Sequence, residues 1–151
     1  MSEKNGERDD NWSEAIFIGE SSTFHKTITD ADIMLYAGLS GDFHRIHLDD
    51  EYARQTPFGK RLAHGAMLMG FMSTCGTLIV ERYNERTSAP NVSAGYNKVR
   101  FINPVMVGDT ITTTTTVTGK DLKKRQVYSE HKCTNQRGEV VAVATGVGQF
   151  V

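Results

Sequence analysis

Residues 65–83 read Gly-Ala-Met-Leu-Met-Gly-Phe-Met-Ser-Thr-Cys-Gly-Thr-Leu-Ile-Val-Glu-Arg-Tyr, the longest helical stretch in the chain. Apolar residues at Ala66, Met67, Leu68, Met69, Phe71, Met72, Cys75, Leu78, Ile79 and Val80 cover nearly every side of such a helix. A helix that is apolar all round is packed on all sides rather than laid on a surface. Gly70 and Gly76 weaken it in isolation and fit a close approach of neighbouring backbone. The methionines read as adaptable core filler. At Glu81, Arg82 and Glu85 the stretch turns polar and reaches solvent.

Working outward, the chain beyond Pro90 changes to strand character. Val99 and Phe101 alternate with Lys98 and Arg100 up to Asn103-Pro104. Residues 109–118 are mostly threonine with Ile111 and Val117 on one face, a β-branched strand rather than a low-complexity tract. Two further strands follow, 126–134 and 139–151, with turns at 120–125 and 135–138. Before the helix, Ile16, Ile18, Phe24 and Ile28 suit one or two strands, and Thr29 with Asp32 has the form of a capping box opening a short helix. A polar loop over 40–50, a helical turn at 51–55 and the breakers Pro57 and Gly59 come next. Helices followed by a run of strands predict an α+β fold, an antiparallel sheet wrapped around one long buried helix.

The whole chain has 151 residues and a mass of 16.8 kDa, which fits one domain. Residues 1–14 are polar and read as a flexible tail, leaving 15–151 as the domain. Seventeen basic against 18 acidic residues give a net charge of −1, which argues against a dedicated nucleic-acid binder. Cys75 and Cys133 match no metal or disulfide spacing. The amino terminus has no apolar segment resembling a signal peptide, and no run of about 18 apolar residues could span a bilayer. The expectation is a cytoplasmic protein with no membrane or nucleic-acid partner.

The densest polar cluster is Ser40-Gly41-Asp42-Phe43-His44-Arg45-Ile46-His47-Leu48-Asp49-Asp50. A carboxylate and an imidazole five residues apart, Asp42 and His47, can both reach one water molecule and divide general acid–base work. Equally, Asp42 and Asp49 could cap helices and leave the histidines solvated; the residues alone leave both readings open. A metal held by His44, His47, Asp42 and Asp49 lacks a third histidine at ligand spacing, so none is expected. Gly65 begins the long helix, where a free backbone N–H and the helix dipole suit a developing oxyanion. Cys75 reads as an inert thiol, and His25 and His131 as isolated, partly exposed histidines. Neither a P-loop nor a G-x-G-x-x-G pattern occurs.

The run from Tyr36 to Asp49, followed by Tyr52-Ala53, resembles the hydratase-2 motif of the MaoC-like (R)-specific enoyl-CoA hydratases. Phe58-Gly59-Lys60-Arg61-Leu62-Ala63-His64-Gly65 is similar to that family's second segment, and residues 101–109, Phe-Ile-Asn-Pro-Val-Met-Val-Gly-Asp, to its third. Three motifs in order, from Thr29 to Asp109, make the resemblance specific. It implies a hot-dog fold, usually dimeric, and the same architecture follows from the element order. It also implies reversible hydration of trans-2-enoyl thioesters, with Asp42 and His47 as the catalytic pair and Gly65 polarising the thioester carbonyl. Ser73 and Asn97 fall where some members carry polar contacts to substrate. No cofactor is implied beyond coenzyme A as part of the substrate, and the expected assembly is a homodimer.

One departure stands out. His44-Arg45 replaces the family's usual Asn-Pro, removing a fixed φ and adding charge that could tune the acyl substrate. Lys60 and Arg61 are candidate partners for a coenzyme A phosphate, or a solvated surface pair. The alternatives are a hot-dog thioesterase or a non-catalytic acyl-thioester-binding partner subunit. The absence of Asp and Glu between Gly65 and Val80 argues against the first, and intact Asp42 and His47 against the second.

Overall fold

The computed structural model of the chain describes residues 11–151. Five antiparallel strands form one sheet: β1 (Ser21–Thr27), β2 (Asn91–Phe101), β3 (Thr110–Asp121), β4 (Gln126–Thr134) and β5 (Val140–Phe150). Their order across the sheet is β1-β3-β4-β5-β2. A meander of β3, β4 and β5 therefore forms the centre, with β1 and β2 on the two edges. The helices are α1 (Asp30–Ser40), α2 (Arg45–Leu48), α3 (Asp50–Arg54) and α4 (Met67–Asn84). This is the hot-dog arrangement, with α4 as the long helix held by the sheet.

The local reasons are readable. Thr29 accepts from the Asp32 amide while the Asp32 carboxylate accepts from the Thr29 amide, so the capping box forms in full. Gly41 closes α1 at φ 78°, a left-handed conformation that favours glycine. In β3 the residues alternate between half-buried and buried, with Ile111, Thr113, Thr115 and Val117 inward. The inward threonine hydroxyls find partners, Thr113 on the Cys133 thiol and Thr115 on His131. Two apolar clusters result. One joins Met67, Leu68 and Met72 to Ile28, Ile33, Ile111 and Val141. The other joins Ile79 and Tyr83 to Trp12, Val117, Val127 and Phe150.

Three expectations change. Most of the supposed tail lies outside the described residues, but Trp12–Ala15 forms a one-turn 3-10 helix. Trp12 is buried and stacks on Phe150 at 4.7 Å, because an indole supplies enough apolar area to dock an otherwise polar segment. Within this chain α4 is buried on its sheet-facing side only, since Gly70, Ser73, Thr74 and Thr77 share an exposed stripe. Those are its small and hydroxyl-bearing residues, whereas Met67, Leu68, Met72, Cys75, Ile79 and Tyr83 face inward. Finally, His131 is buried rather than partly exposed.

Candidate active site

The site forms where the loop after α1 meets the start of α4. The Asp42 carboxylate accepts from the His44 amide at 3.2 Å, which folds the loop back on itself. His44 then caps α2, its Nδ1 accepting from the Ile46 amide. On α2, His47 donates from Nδ1 to the Leu62 carbonyl at 2.8 Å. A carbonyl can only accept, so Nδ1 carries the proton and Nε2 of the neutral ring keeps its lone pair. Burial is the main influence holding the His47 pKa below its usual value, with the His64 ring adding to it and the Leu62 carbonyl and Asp42 opposing. A neutral imidazole with a free Nε2 is a competent base at neutral pH.

His64 completes the arrangement. It is buried, and its ring lies on that of His47 with centroids 3.7 Å apart and planes 26° apart. Its Nε2 donates to the Asp42 backbone carbonyl at 3.0 Å, and its buried Nδ1 has no partner. One carboxylate oxygen of Asp42 and one ring nitrogen each of His47 and His64 lie within 4.8 Å of one another. This trio is the group of described residues that could hold a metal ion. His47 Nδ1 and His64 Nε2 are already committed to backbone carbonyls, so His47 Nε2 and His64 Nδ1 are the ring atoms left beside the Asp42 carboxylate.

Gly65 follows His64. Among the described residues no acceptor takes its amide N–H. A Cβ there would come within 2.9 Å of the Phe101 ring, so glycine is required for the ring to cover this backbone. The third motif contributes support rather than chemistry. Val105 accepts from the Ala63 amide at 2.7 Å, Leu62 bridges to Met106, and buried Asp109 accepts from the Met106 amide.

The remaining sequence-derived residues are placed as follows. Arg45 pairs with Asp49 at 2.8 Å and sits over the Tyr52 ring. Arg61 pairs with Asp30 and Asp50 and donates to the His47 carbonyl at 3.4 Å. Lys60 is exposed beside it. Ser73 lies on the exposed stripe of α4, and Asn97 is exposed on β2 opposite Thr145. The structure thus brings Asp42, His47 and Gly65 together, and leaves Ser73 and Asn97 on other elements. His64 carried no role in the sequence reading. Its position directly before Gly65 was the available signal.

A family model described as MaoC like domain matches residues 17–138. The chain belongs to the MaoC-like domain family. An (R)-specific enoyl-CoA hydratase from Rhodospirillum rubrum is 38% identical over 122 residues, covering 80% of this chain and 79% of that protein. Among solved structures, the (R)-hydratase of Aeromonas caviae involved in PHA biosynthesis superposes with a TM-score of 0.77 at 25% identity. That match covers 90% of this chain and 98% of the other. A monoamine oxidase regulatory protein from Archaeoglobus fulgidus gives a TM-score of 0.80 at 32% identity, covering 91% and 92%. The MaoC-like relatives so named are hydro-lyases.

Proposed function

We propose that this MaoC-like protein is a hydro-lyase that reversibly hydrates trans-2-enoyl thioesters to (R)-3-hydroxyacyl thioesters. The observation that carries the reading is the approach of the Asp42 carboxylate to the rings of His47 and His64, with the Gly65 amide free at the adjoining helix start. A water between Asp42 and His47 loses one proton to His47 Nε2 as its oxygen bonds to the β-carbon. The C=C electron pair moves toward the thioester, whose oxygen takes up negative charge. The Gly65 N–H, aided by the N-terminal dipole of α4, stabilises that oxygen. The proton returned to the α-carbon completes the addition, and the same steps reversed give dehydration. Neither a metal nor a redox cofactor enters this scheme; coenzyme A comes with the substrate.

A homodimer is the assembly we infer. Strand β2 is a sheet edge of 11 residues, and Val92, Phe101 and Ile102 at that edge are half-exposed. An unpaired edge with apolar side chains is suited to isologous pairing. Two buried free cysteines, Cys75 and Cys133, fit the reducing cytoplasm.

Mixing crotonyl-CoA with the protein while following enoyl-thioester absorbance and free thiol tests the reaction. Absorbance loss without thiol release is expected. Thiol release would instead make the protein a thioesterase, and silence in both would leave an acyl-binding subunit.

A further inference from the structure

A second recess lies farther along α4, between that helix and the sheet. It is a cavity of about 160 Å3 that Asp42, His47 and Gly65 do not line. Its polar wall includes Asn91, Ser93, Tyr96, Thr115, Ser129 and His131, with Ile79 and Val127 supplying apolar surface. No Asp, Glu, Lys or Arg lines it.

The backbone makes room for this wall. A Cβ on Gly146 would overlap His131 Nε2, and one on Gly148 would meet the Asn91 amide oxygen at 3.1 Å. Two strand positions therefore lack side chains where the imidazole and the amide sit. His131 is buried, shares a hydrogen bond with the Thr115 hydroxyl through Nδ1 at 2.8 Å, and has no partner at Nε2 among the described residues. Burial pushes its pKa down to about 4, so the ring is neutral at pH 7. The Asn91 amide nitrogen is fully buried and also without a partner. A buried donor left unmet is destabilising, and a ligand oxygen would satisfy it. An anionic ligand would find no cation there and would lose its hydration.

The position of the cavity relates it to the reaction. Each helical residue adds about 1.5 Å, so Ser73, on its wall, lies about 12 Å along the axis from Gly65. Between them α4 exposes Ala66 and Gly70, leaving a low path along the helix. We propose that the cavity receives the far end of the acyl chain and selects an uncharged, oxygen-bearing group there, a hydroxyl or ketone, over a methyl or a carboxylate. Asn91 donates to that oxygen, and His131 Nε2 exchanges a hydrogen bond with it.

This inference rests on the hydratase reading, and the experiment separates the two. Crotonyl-CoA is too short to reach Ser73, so its hydration reads the reaction alone. Medium-chain trans-2-enoyl-CoA substrates of equal length, ending in a methyl, a hydroxyl or a carboxylate, read the cavity through kcat/KM. The hydroxyl-ended chain is expected to lead by about tenfold or more. In Asn91→Leu, and separately in Thr115→Val, the hydroxyl-to-methyl ratio is expected to fall to one or below. A ratio taken on one preparation is unaffected by a partly unfolded fraction. Crotonyl-CoA turnover with no hydroxyl preference, or with a preference untouched by both variants, overturns the inference and leaves the reaction standing. If crotonyl-CoA is not hydrated, phenol decides the cavity, since a void of about 150 Å3 accepts one benzene ring. Saturable shifts of the His131 ring resonances with phenol, absent with benzene and benzoate, support a neutral polar site; no shift with phenol means that the cavity holds water only.

Discussion

At the start of α4, His47 and His64 each spend one ring N–H on a backbone carbonyl, and the Asp42 carboxylate stands within reach of both. Farther along the same helix, His131 hydrogen-bonds a threonine hydroxyl, stands edge-on to the Tyr96 ring and lies among uncharged groups. The first pair is half-buried and buried beside an exposed carboxylate, so water can enter and a proton can move. The second is buried and neutral, in a cavity that no carboxylate lines. One residue type thus meets surroundings that suit proton transfer at one end and recognition of a neutral group at the other.

The largest effect should come from breaking the proton-transfer end. Asp42→Asn and His47→Ala are each expected to lower kcat by about two orders of magnitude or more while circular dichroism stays unchanged. The pH profile sharpens the same point. Because the His47 pKa is lowered from 6.5, kcat/KM should hold through neutral pH and fall only as pH drops below 6.5. An acid limb centred above 6.5 would mean that His47 is not the base.

The other end should appear in stability instead. The folded-state pKa of His131 is about 4 against 6.5 for a free ring, so the unfolded chain binds the proton more readily. The resulting stabilisation is complete above 6.5 and is lost as pH falls toward 4, amounting to about 3 kcal/mol. Urea unfolding of the native protein and His131→Asn, at both ends of that window, should show the native protein losing about that much more. Parallel losses would place His131 in contact with solvent. Gly146→Ala should cost about 1–3 kcal/mol by forcing the imidazole aside, again read by urea. An unchanged midpoint would mean that the ring has space to move.

The two ends differed equally in how far the sequence revealed them. Asp42, His47 and Gly65 lie in contiguous motifs whose geometry is local: an Asp turn, a short helix and a helix start. Their spacing therefore made them candidates, the family resemblance chose the catalytic reading over the capping one, and the capping box at Thr29 gave α1 directly. The cavity depends on strand register, which places Thr115 opposite His131 and Ser129 opposite Gly146. No short pattern encodes that pairing, so His131 read as an isolated, partly exposed histidine. Trp12 was misread for a similar reason: its partner Phe150 lies at the other end of the chain. The exposed stripe on α4 escaped because Ser73, Thr74 and Thr77 were outnumbered by apolar neighbours.

Arg61 gives the smallest expected effect and tests how the two proposed catalytic groups are held. Its guanidinium reaches Asp30 at the start of α1 at 2.5 Å and Asp50 on α3 at 2.7 Å. It also donates to the carbonyl of His47 itself. Both carboxylates are largely exposed, so solvent screening limits each pair to about 1 kcal/mol or less. The geometry matters more than the energy, because a single ammonium cannot reproduce the planar fork that spans both acids. Arg61→Lys should therefore lower stability by about 1 kcal/mol or less and kcat by a few-fold, with little change in KM for crotonyl-CoA. A coenzyme A phosphate held by Arg61 would give the opposite split. KM would then rise with kcat unchanged, and salt would weaken substrate binding to the native protein more than to the variant.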